Sequence, residues 1–123
     1  MNRILLAQKG TLRTDETEAD YDKYKADGCL NDGQVLLDAE AKITFKYWKI
    51  VTNKFPYDKI TALHDLLVPL RMTDGRDFTQ EEIDELLELR ETYINDNYQF
   101  IFEAMNNSKT VPEHFHLHLI ITK

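Results

Sequence analysis

Hydrophobic and polar residues alternate along this chain with periods that change from segment to segment. Residues 11–34 are polar without a sustained apolar period, which favours a loop or a short irregular helix. Residues 35–37 and 43–52 are rich in β-branched and aromatic side chains and predict two strands, with a turn near 38–41. Residues 62–69 predict a further, central or near-central strand, which ends at its proline because proline lacks the N–H that a sheet requires.

The clearest local signal marks the start of a helix at Thr79. Thr79 and Glu82 have the spacing of a capping box, and Phe78 and Ile83 occupy the two positions of a hydrophobic staple. Residues 99–105 then predict a strand, 106–110 a loop, and the last residues a final strand. The apolar stripe predicted for the helix consists of Ile83, Leu86, Leu87, Tyr93 or Ile94, and Tyr98.

Length and composition restrict the class of protein. A chain of 123 residues and 14.5 kDa fits one domain. A hydrophobic content of 42% argues against disorder, and no apolar run approaches the length of a membrane span. The apolar stretch near the N-terminus is too short for a secretory signal, and the single Cys29 has no internal disulfide partner. We therefore expect a cytoplasmic protein that does not associate with a membrane.

The net charge of −7 is unevenly distributed. Residues 77–103 contain nine acidic residues and a single basic one, Arg90, so this segment accounts for the acidity of the chain. Residues 42–59 contain five lysines and one acidic residue, Asp58. Such a local excess of positive charge suits a small phosphorylated ligand, whereas the overall charge argues against extended nucleic acid.

Three of the four histidines alternate with apolar residues near the C-terminus, as His114, His116 and His118. Side chains of a strand alternate between its two faces, so we expect the imidazoles to share one face and the intervening apolar residues the other. The apolar face should pack on the core, and the other face should display ring nitrogens.

Three interpretations of this pattern remain open. The first is a metal site; however, histidines two apart on a strand are separated by about 6.6 Å, so at most two could bind one ion. A third ligand would then come from His64, Asp65 or Glu113. The second is a set of polar residues on a solvated strand. The third is nucleophilic catalysis at phosphorus, in which one imidazole attacks and its neighbours hold phosphate oxygens.

The segment HFHLHLI resembles the signature of the histidine triad superfamily of nucleotide hydrolases and transferases and matches it at every position. YWKIVTNKFPY is similar to the strand and loop that line the nucleotide pocket of that family, and HDLLVP to its following strand. The resemblance covers about residues 35–121. It implies an α+β fold, an antiparallel sheet of about five strands with one long helix packed on it, commonly as a symmetric homodimer. The chain is thereby divided into a polar N-terminal segment, 1–34, and a HIT-like nucleotide-binding domain, 35–123.

The resemblance also implies a mechanism. His116 would attack the α-phosphorus of a nucleotide to form a nucleotidyl-histidine, which water then opens, while His114 and His118 bind phosphate oxygens and assist the leaving group. An unperturbed imidazole titrates near 6.5 and so supplies both a free base and a proton carrier near neutral pH. No cofactor is required, and magnesium held by the substrate's phosphates is compatible with the scheme. The implied substrate-binding residues are His64, Asn53, Phe55, Tyr57, Arg71, Asn107 and Ser108.

Several positions depart from the family pattern. Leu63 replaces a frequent glycine, residues 70–72 replace a Lys-x-His sequence, with Arg71 as the substitute cation, and Glu113 stands beside His114. We expect the Glu113 carboxylate to point away from the phosphates. The predicted function is a nucleotide hydrolase or nucleotidyl transferase that cleaves a phosphoanhydride or a phosphoramidate. The alternative is a nucleotide-binding or sensing module of the same fold with little or no turnover.

Overall fold

The computed structural model of the protein describes residues 2–7, 10–27, 32–109 and 111–123, with Asp32 and Asn107 described by their backbone only. Within these residues, five strands form one antiparallel sheet in the order β1-β2-β3-β5-β4, so β3 is central as predicted. The predicted α+β fold is confirmed. The strands are β1 (Ile43–Thr44), β2 (Trp48–Thr52), β3 (Thr61–Pro69), β4 (Phe100–Phe102) and β5 (Leu117–Thr122). The helices are α1 (Arg3–Ala7), α2 (Asp15–Ala26), α3 (Asp32–Asp38), α4 (Gln80–Glu91) and α5 (Tyr93–Asn97), with a 3₁₀ helix at Asn106–Ser108.

Both faces of the sheet are covered. Leu67 of β3 belongs to an apolar cluster that also contains Leu89 of α4 and Ile94 of α5. Its neighbours Leu66 and Val68 belong to a second cluster, which packs against α3. Because successive side chains of a strand point to opposite faces, a central strand covered on both sides needs an almost continuous apolar sequence. The apolar run at the end of β3 therefore reflects burial on two sides.

Helix α4 begins as the sequence predicts. The Thr79 hydroxyl accepts from the Glu82 N–H at 3.2 Å, and the Glu82 carboxylate accepts from the Thr79 N–H at 2.9 Å, which completes the capping box. The predicted single long helix is two segments, α4 and α5, which meet at Thr92. Ile83 and Leu87 of the predicted stripe are exposed, whereas Leu89 is buried. The buried face of α4 therefore differs from the predicted stripe. Glu82 points inward, because it completes the capping box and its carbonyl accepts from the Trp48 indole.

Two predicted strands differ from the structure. Residues 35–37 lie in α3, and residues 43–52 form the hairpin β1–β2 instead of one strand. Glu85 of α4 stabilises the hairpin turn, because its carboxylate accepts from the N–H groups of Lys46 and Tyr47 at 3.2 and 2.7 Å. The predicted turn at 38–41 is the connection from α3 to the hairpin.

The N-terminal segment is more regular than predicted. Helix α2 extends over twelve residues, and the Thr14 side chain caps its N-terminus. Asp58 accepts from the Thr14 N–H at 2.8 Å and also binds the Thr17 hydroxyl. Hydrogen bonds from the loop after β2 thus fix the start of α2. In the described part of the chain, no helix has the length and apolarity needed to cross a membrane.

Candidate active site

The three histidines of the C-terminal motif occupy the start of β5 and the residues before it. Only His118 lies in β5, while His114 and His116 precede the strand, which corrects the prediction that one strand carries all three. Leu117 and Leu119 belong to the apolar cluster beside α4, and His116 and His118 line a cavity, so these residues alternate as predicted.

Two of the three histidines of the motif are buried, and His116 is half-buried. His118 is 5% exposed and His114 is completely buried. The expected outer face of the sheet is therefore covered, and the interpretation as a solvated strand does not fit the burial.

His118 forms a hydrogen-bonded pair with His64 of β3. The backbone N–H of Tyr57 donates to Nδ1 of His64 at 2.9 Å, so in the neutral ring the proton resides on Nε2. Nε2 of His64 then donates to Nδ1 of His118 at 2.8 Å. The same argument leaves the proton of His118 on its Nε2, 3.5 Å from the Tyr57 hydroxyl. Backbone geometry thus makes His118 a hydrogen-bond donor at the cavity.

A second backbone contact determines the tautomer of His116. Nδ1 of His116 donates to the carbonyl oxygen of His114 at 2.9 Å. In the neutral ring this leaves Nε2 unprotonated, with a lone pair available for attack. The rings of His116 and His118 are 5.2 Å apart in an edge-on arrangement. A lone pair and a donor hydrogen therefore lie on neighbouring imidazoles.

His114 occupies a different environment from the other two. Nε2 of His114 lies 3.2 Å from the carbonyl oxygen of Pro69, and its Nδ1 lies 3.0 Å from the Met72 sulfur. His114 does not line the cavity that His116 and His118 share. These contacts support the segment before β5, and His114 borders a second, small cavity together with His116.

Burial lowers the pKa of all four histidines. Removal from water is the largest cause in each case, and it lowers the pKa of His64 to about 4 and that of His118 to about 3. The positive charge of Arg13 lowers both values further. The pKa values of His114 and His116 are also below the ordinary value. All four rings are accordingly neutral near pH 7, which is the state that the tautomer assignments require.

The cavity beside His116 and His118 has a volume of about 600 Å³, within the range of small-molecule sites. Predicted residues Asn53, Phe55 and Tyr57 line it. The Tyr57 ring stacks on His118 with centroids 4.9 Å apart. Asn53 also lies against His64, with Nδ2 3.2 Å from Nε2 of the ring. The structure thus brings together His64, His116, His118 and these three loop residues.

The N-terminal segment contributes a wall of the cavity that its sequence does not predict. Arg13, Tyr21 and Tyr24 line the same cavity, and the Phe55 ring lies 5.0 Å from each tyrosine ring. Because its apolar residues lack a period, the sequence predicts only a loop or a short irregular helix there. The detectable signal was the threonine cap of α2 followed by acidic residues, with two tyrosines three residues apart on one helical face.

Helix α3 forms another part of the wall and is fixed at both ends. Its Gly33 N–H donates to the Glu113 carboxylate at 2.8 Å. At its other end the buried Lys49 ammonium donates to the carbonyls of Leu37 and Ala39, both at 2.7 Å. The Glu113 carboxylate is thereby directed toward α3.

Two other predicted binding residues, Arg71 and Ser108, do not line the cavity. The Arg71 guanidinium donates to the Glu82 carboxylate at 2.8 Å and to Asp77, which corrects its prediction as a substitute phosphate ligand. The sequence could not show this because the partners lie six and eleven residues away. Ser108 is exposed in the 3₁₀ helix and does not line the cavity. The Asn107 side chain and the whole of Cys29 lie outside the described residues.

The residues that a metal site would recruit have other partners. Asp65 is fully buried and accepts from the Lys42 ammonium at 2.8 Å and the Tyr98 hydroxyl at 2.6 Å. Glu113 binds the Gly33 N–H. Across the described ranges, no three or more His, Cys, Asp or Glu side chains are grouped so that they could hold an ion.

Comparisons with known proteins add no relative. No protein-family model matches the chain, and no curated protein matches it significantly.

Proposed function

We propose that the protein is a nucleotide hydrolase or nucleotidyl transferase of the histidine triad type, with His116 as the nucleophile. The observation that carries the proposal is the contact between Nδ1 of His116 and the His114 carbonyl, beside the His64–His118 pair. This contact leaves an unprotonated Nε2 at a cavity that can accommodate a small molecule. The match to the triad motif and the order of the surrounding segments support the same conclusion.

In the first step, the Nε2 lone pair of His116 attacks the α-phosphorus, and the bond from that phosphorus to the leaving group breaks. The bonding electrons depart with the leaving oxygen or nitrogen. The Nε2 hydrogen of His118 donates a hydrogen bond to this atom and stabilises its negative charge, and a leaving group that needs a proton takes it from solvent. The His114 carbonyl holds the Nδ1 proton of His116 and so stabilises the positive charge that develops on the ring.

In the second step, water or another acceptor attacks the α-phosphorus from the other side. The phosphorus–nitrogen bond breaks, its electrons return to Nε2, and the proton of the attacking hydroxyl passes to solvent. Water gives hydrolysis, and another hydroxyl gives transfer. Magnesium bound by the substrate's phosphates is compatible with both steps.

The remaining parts of the proposal come from the sequence and the resemblance. The substrate is a small nucleotide rather than extended nucleic acid, since the cavity has a volume of about 600 Å³ and the protein is acidic. A homodimer and a cytoplasmic location belong to the same proposal.

A sensing module is the second candidate. The position of Arg71 favours it. This arginine binds Glu82 and does not line the cavity, where a substitute for the family's basic residue was expected. Such a module would bind nucleotides without forming product. Product formation above the level of a His116 variant would exclude it.

The decisive experiment tests for the covalent intermediate. Metal-stripped protein is incubated with adenosine phosphoramidate or diadenosine triphosphate, quenched in acid, digested and analysed by mass spectrometry. We expect a nucleoside monophosphate adduct on the peptide that contains His116.

His116→Ala should lose the adduct and at least about a thousandfold in kcat while nucleotide affinity changes little. Arg76→Gln serves as the control, because Arg76 is exposed and pairs only with Asp74 among the ion pairs described. Undiminished turnover in the His116 variant would refute the mechanism.

A further inference from the structure

Arg13 is a charged cavity residue that has no role in the proposed chemistry so far. It is 9% exposed, and its guanidinium borders the cavity that contains His116 and His118. A guanidinium has five fixed N–H donors and remains charged at any relevant pH. An almost buried cation that is close enough to His64 and His118 to lower their pKa values favours a ligand that carries negative charge.

Contacts of Arg13 and of its two chain neighbours hold it in place, among them the Tyr21 ring, whose centre lies 4.4 Å from Cζ. Its Nε donates to the Phe55 carbonyl at 2.8 Å. The residues on either side are also bound: the Leu12 carbonyl accepts from the Lys59 N–H at 3.0 Å, and the Thr14 N–H donates to Asp58 at 2.8 Å. Glu18 lies 3.6 Å from Nη1 and offsets part of the charge. These contacts position the guanidinium before any ligand binds, which reduces the entropy lost on binding.

Arg13 lies on the side of the site that His118 faces. The Arg13 Cζ atom is 5.2 Å from the centre of the Tyr57 ring, which stacks on His118. His118 in turn neighbours the nucleophile, His116. The Nε2 hydrogen assigned to His118 approaches the Tyr57 hydroxyl. A leaving group that accepts this hydrogen therefore extends along the row formed by His118, Tyr57 and Arg13.

We infer that Arg13 is a specificity-determining residue that binds an anionic leaving group, so that the preferred substrates are phosphoanhydrides rather than phosphoramidates. This inference rests on the proposed function and narrows its substrate class. When the bond from the α-phosphorus to the bridging oxygen breaks, the departing phosphate keeps the bonding electrons. The Arg13 charge stabilises it together with the His118 donor. An amine leaving group gains nothing from this cation, and a protonated substituent on it is repelled.

The test compares two substrates that share adenosine and differ in the leaving group, diadenosine triphosphate and adenosine phosphoramidate. For Arg13→Gln we expect kcat/KM on the anhydride to fall roughly 10- to 100-fold while the phosphoramidate changes less than about threefold. Arg13→Lys, which keeps the charge but not the fork of donors, should recover part of the loss. Arg76→Gln is the matched control, since this arginine pairs with Asp74 and does not line the cavity.

Each outcome decides between binding and a structural role. An equal loss on both substrates, together with a lower melting temperature, would show that Arg13 only secures the N-terminal segment, and would overturn the inference. An unchanged ratio of the two kcat/KM values would overturn it as well. A wild-type enzyme that cleaves the phosphoramidate but not the anhydride would overturn it and leave the proposed function intact.

A wild-type protein that turns over neither substrate would refute the proposed function. In that case, nucleotide binding tests whether Arg13 recognises an anionic group. Titration calorimetry with ADP and AMP measures the contribution of a second phosphate. If Arg13 binds it, the wild type should prefer ADP by about tenfold or more, and Arg13→Gln should lose this preference. Equal affinities for ADP and AMP in the wild type would overturn the inference.

Discussion

At the scale of single residues, backbone groups determine the protonation pattern of the site. The Tyr57 N–H fixes the tautomer of His64 and, through it, that of His118, while the His114 carbonyl fixes that of His116. The alternating motif shows which residue types are present. It cannot show the tautomers, because the groups that decide them belong to the loop before β3 and to the chain before β5.

A substitution of Arg71 tests whether this arginine stabilises the fold or binds the substrate. Its guanidinium binds the Glu82 carboxylate, which is almost completely buried and also caps α4. Arg71→Gln should therefore lower the melting temperature, because it leaves this carboxylate without its cation, and should change the KM for nucleotide by less than about twofold. Thermal unfolding and steady-state kinetics measure the two effects.

Arg76→Gln is the comparison for this variant, since the Arg76–Asp74 pair is exposed and should contribute little to stability. A tenfold or larger rise in KM for Arg71→Gln at an unchanged melting temperature would show that Arg71 contacts the substrate after all.

At the scale of elements, the sequence predicted those with strong local signals. The capping box at Thr79 and Glu82 depends on residues three apart, and β3 is a long apolar run that ends at Pro69. The errors arose where distant residues decide the structure. Residues 35–37 are β-prone by composition, yet Lys49 and Glu113 bind the two ends of a helix there. The hairpin turn depends on Glu85, about forty residues further along the chain.

The turn at Gly75 tests how strongly one loop controls the segment that carries His114 and His116. Gly75 has a φ of +97°, and a Cβ atom there would lie 2.7 Å from Cδ2 of Phe115. Gly75→Ala should lower the free energy of unfolding by about 2 kcal/mol, because it adds a strained backbone conformation and a steric overlap. Urea unfolding gives this value. Turnover should also fall, since Phe115 stands between two triad histidines.

Gly10→Ala is the matched control, because no atom lies within 4 Å of an added Cβ at that glycine. We expect its unfolding free energy to stay within about 0.5 kcal/mol of the wild type. A Gly75→Ala variant of equal stability would mean that the turn and the Phe115 ring adjust without cost.

At the scale of the whole molecule, the site is assembled from distant parts of the sequence. The predicted boundary between residues 34 and 35 falls inside α3, and residues on both sides of it line one cavity. Arg13 and Tyr21 lie about one hundred residues before His116 and His118. The resemblance extended over residues 35–121, so it identified the histidines and the central loop but not the N-terminal wall. No local pattern could link the two.

The burial of all four histidines makes stability depend on pH in a defined direction. Their pKa values are lowered in the folded state, most of all for His64, to about 4, and His118, to about 3. The unfolded chain, with ordinary values near 6.5, therefore binds more protons than the folded chain between about pH 4 and 6.5. Within that window the free energy of unfolding falls as the pH falls. At pH 5 the loss relative to pH 7.5 is about 2 kcal/mol for each histidine that stays neutral.

Urea unfolding between pH 5 and 8 tests this dependence in the range where most carboxyl groups are already ionised. We expect the wild type to lose stability steadily below pH 6.5, and His64→Gln to lose less because one depressed imidazole is gone. Asp96→Asn, a change at an exposed carboxylate of α5, should follow the wild-type slope. The same lowered pKa of His116 should preserve kcat/KM below pH 6.5, so activity would persist on acidification until unfolding ends it. A stability that rises between pH 7.5 and 5 would show that the imidazoles gain protons in the folded state, which contradicts the neutral network on which the proposed nucleophile depends.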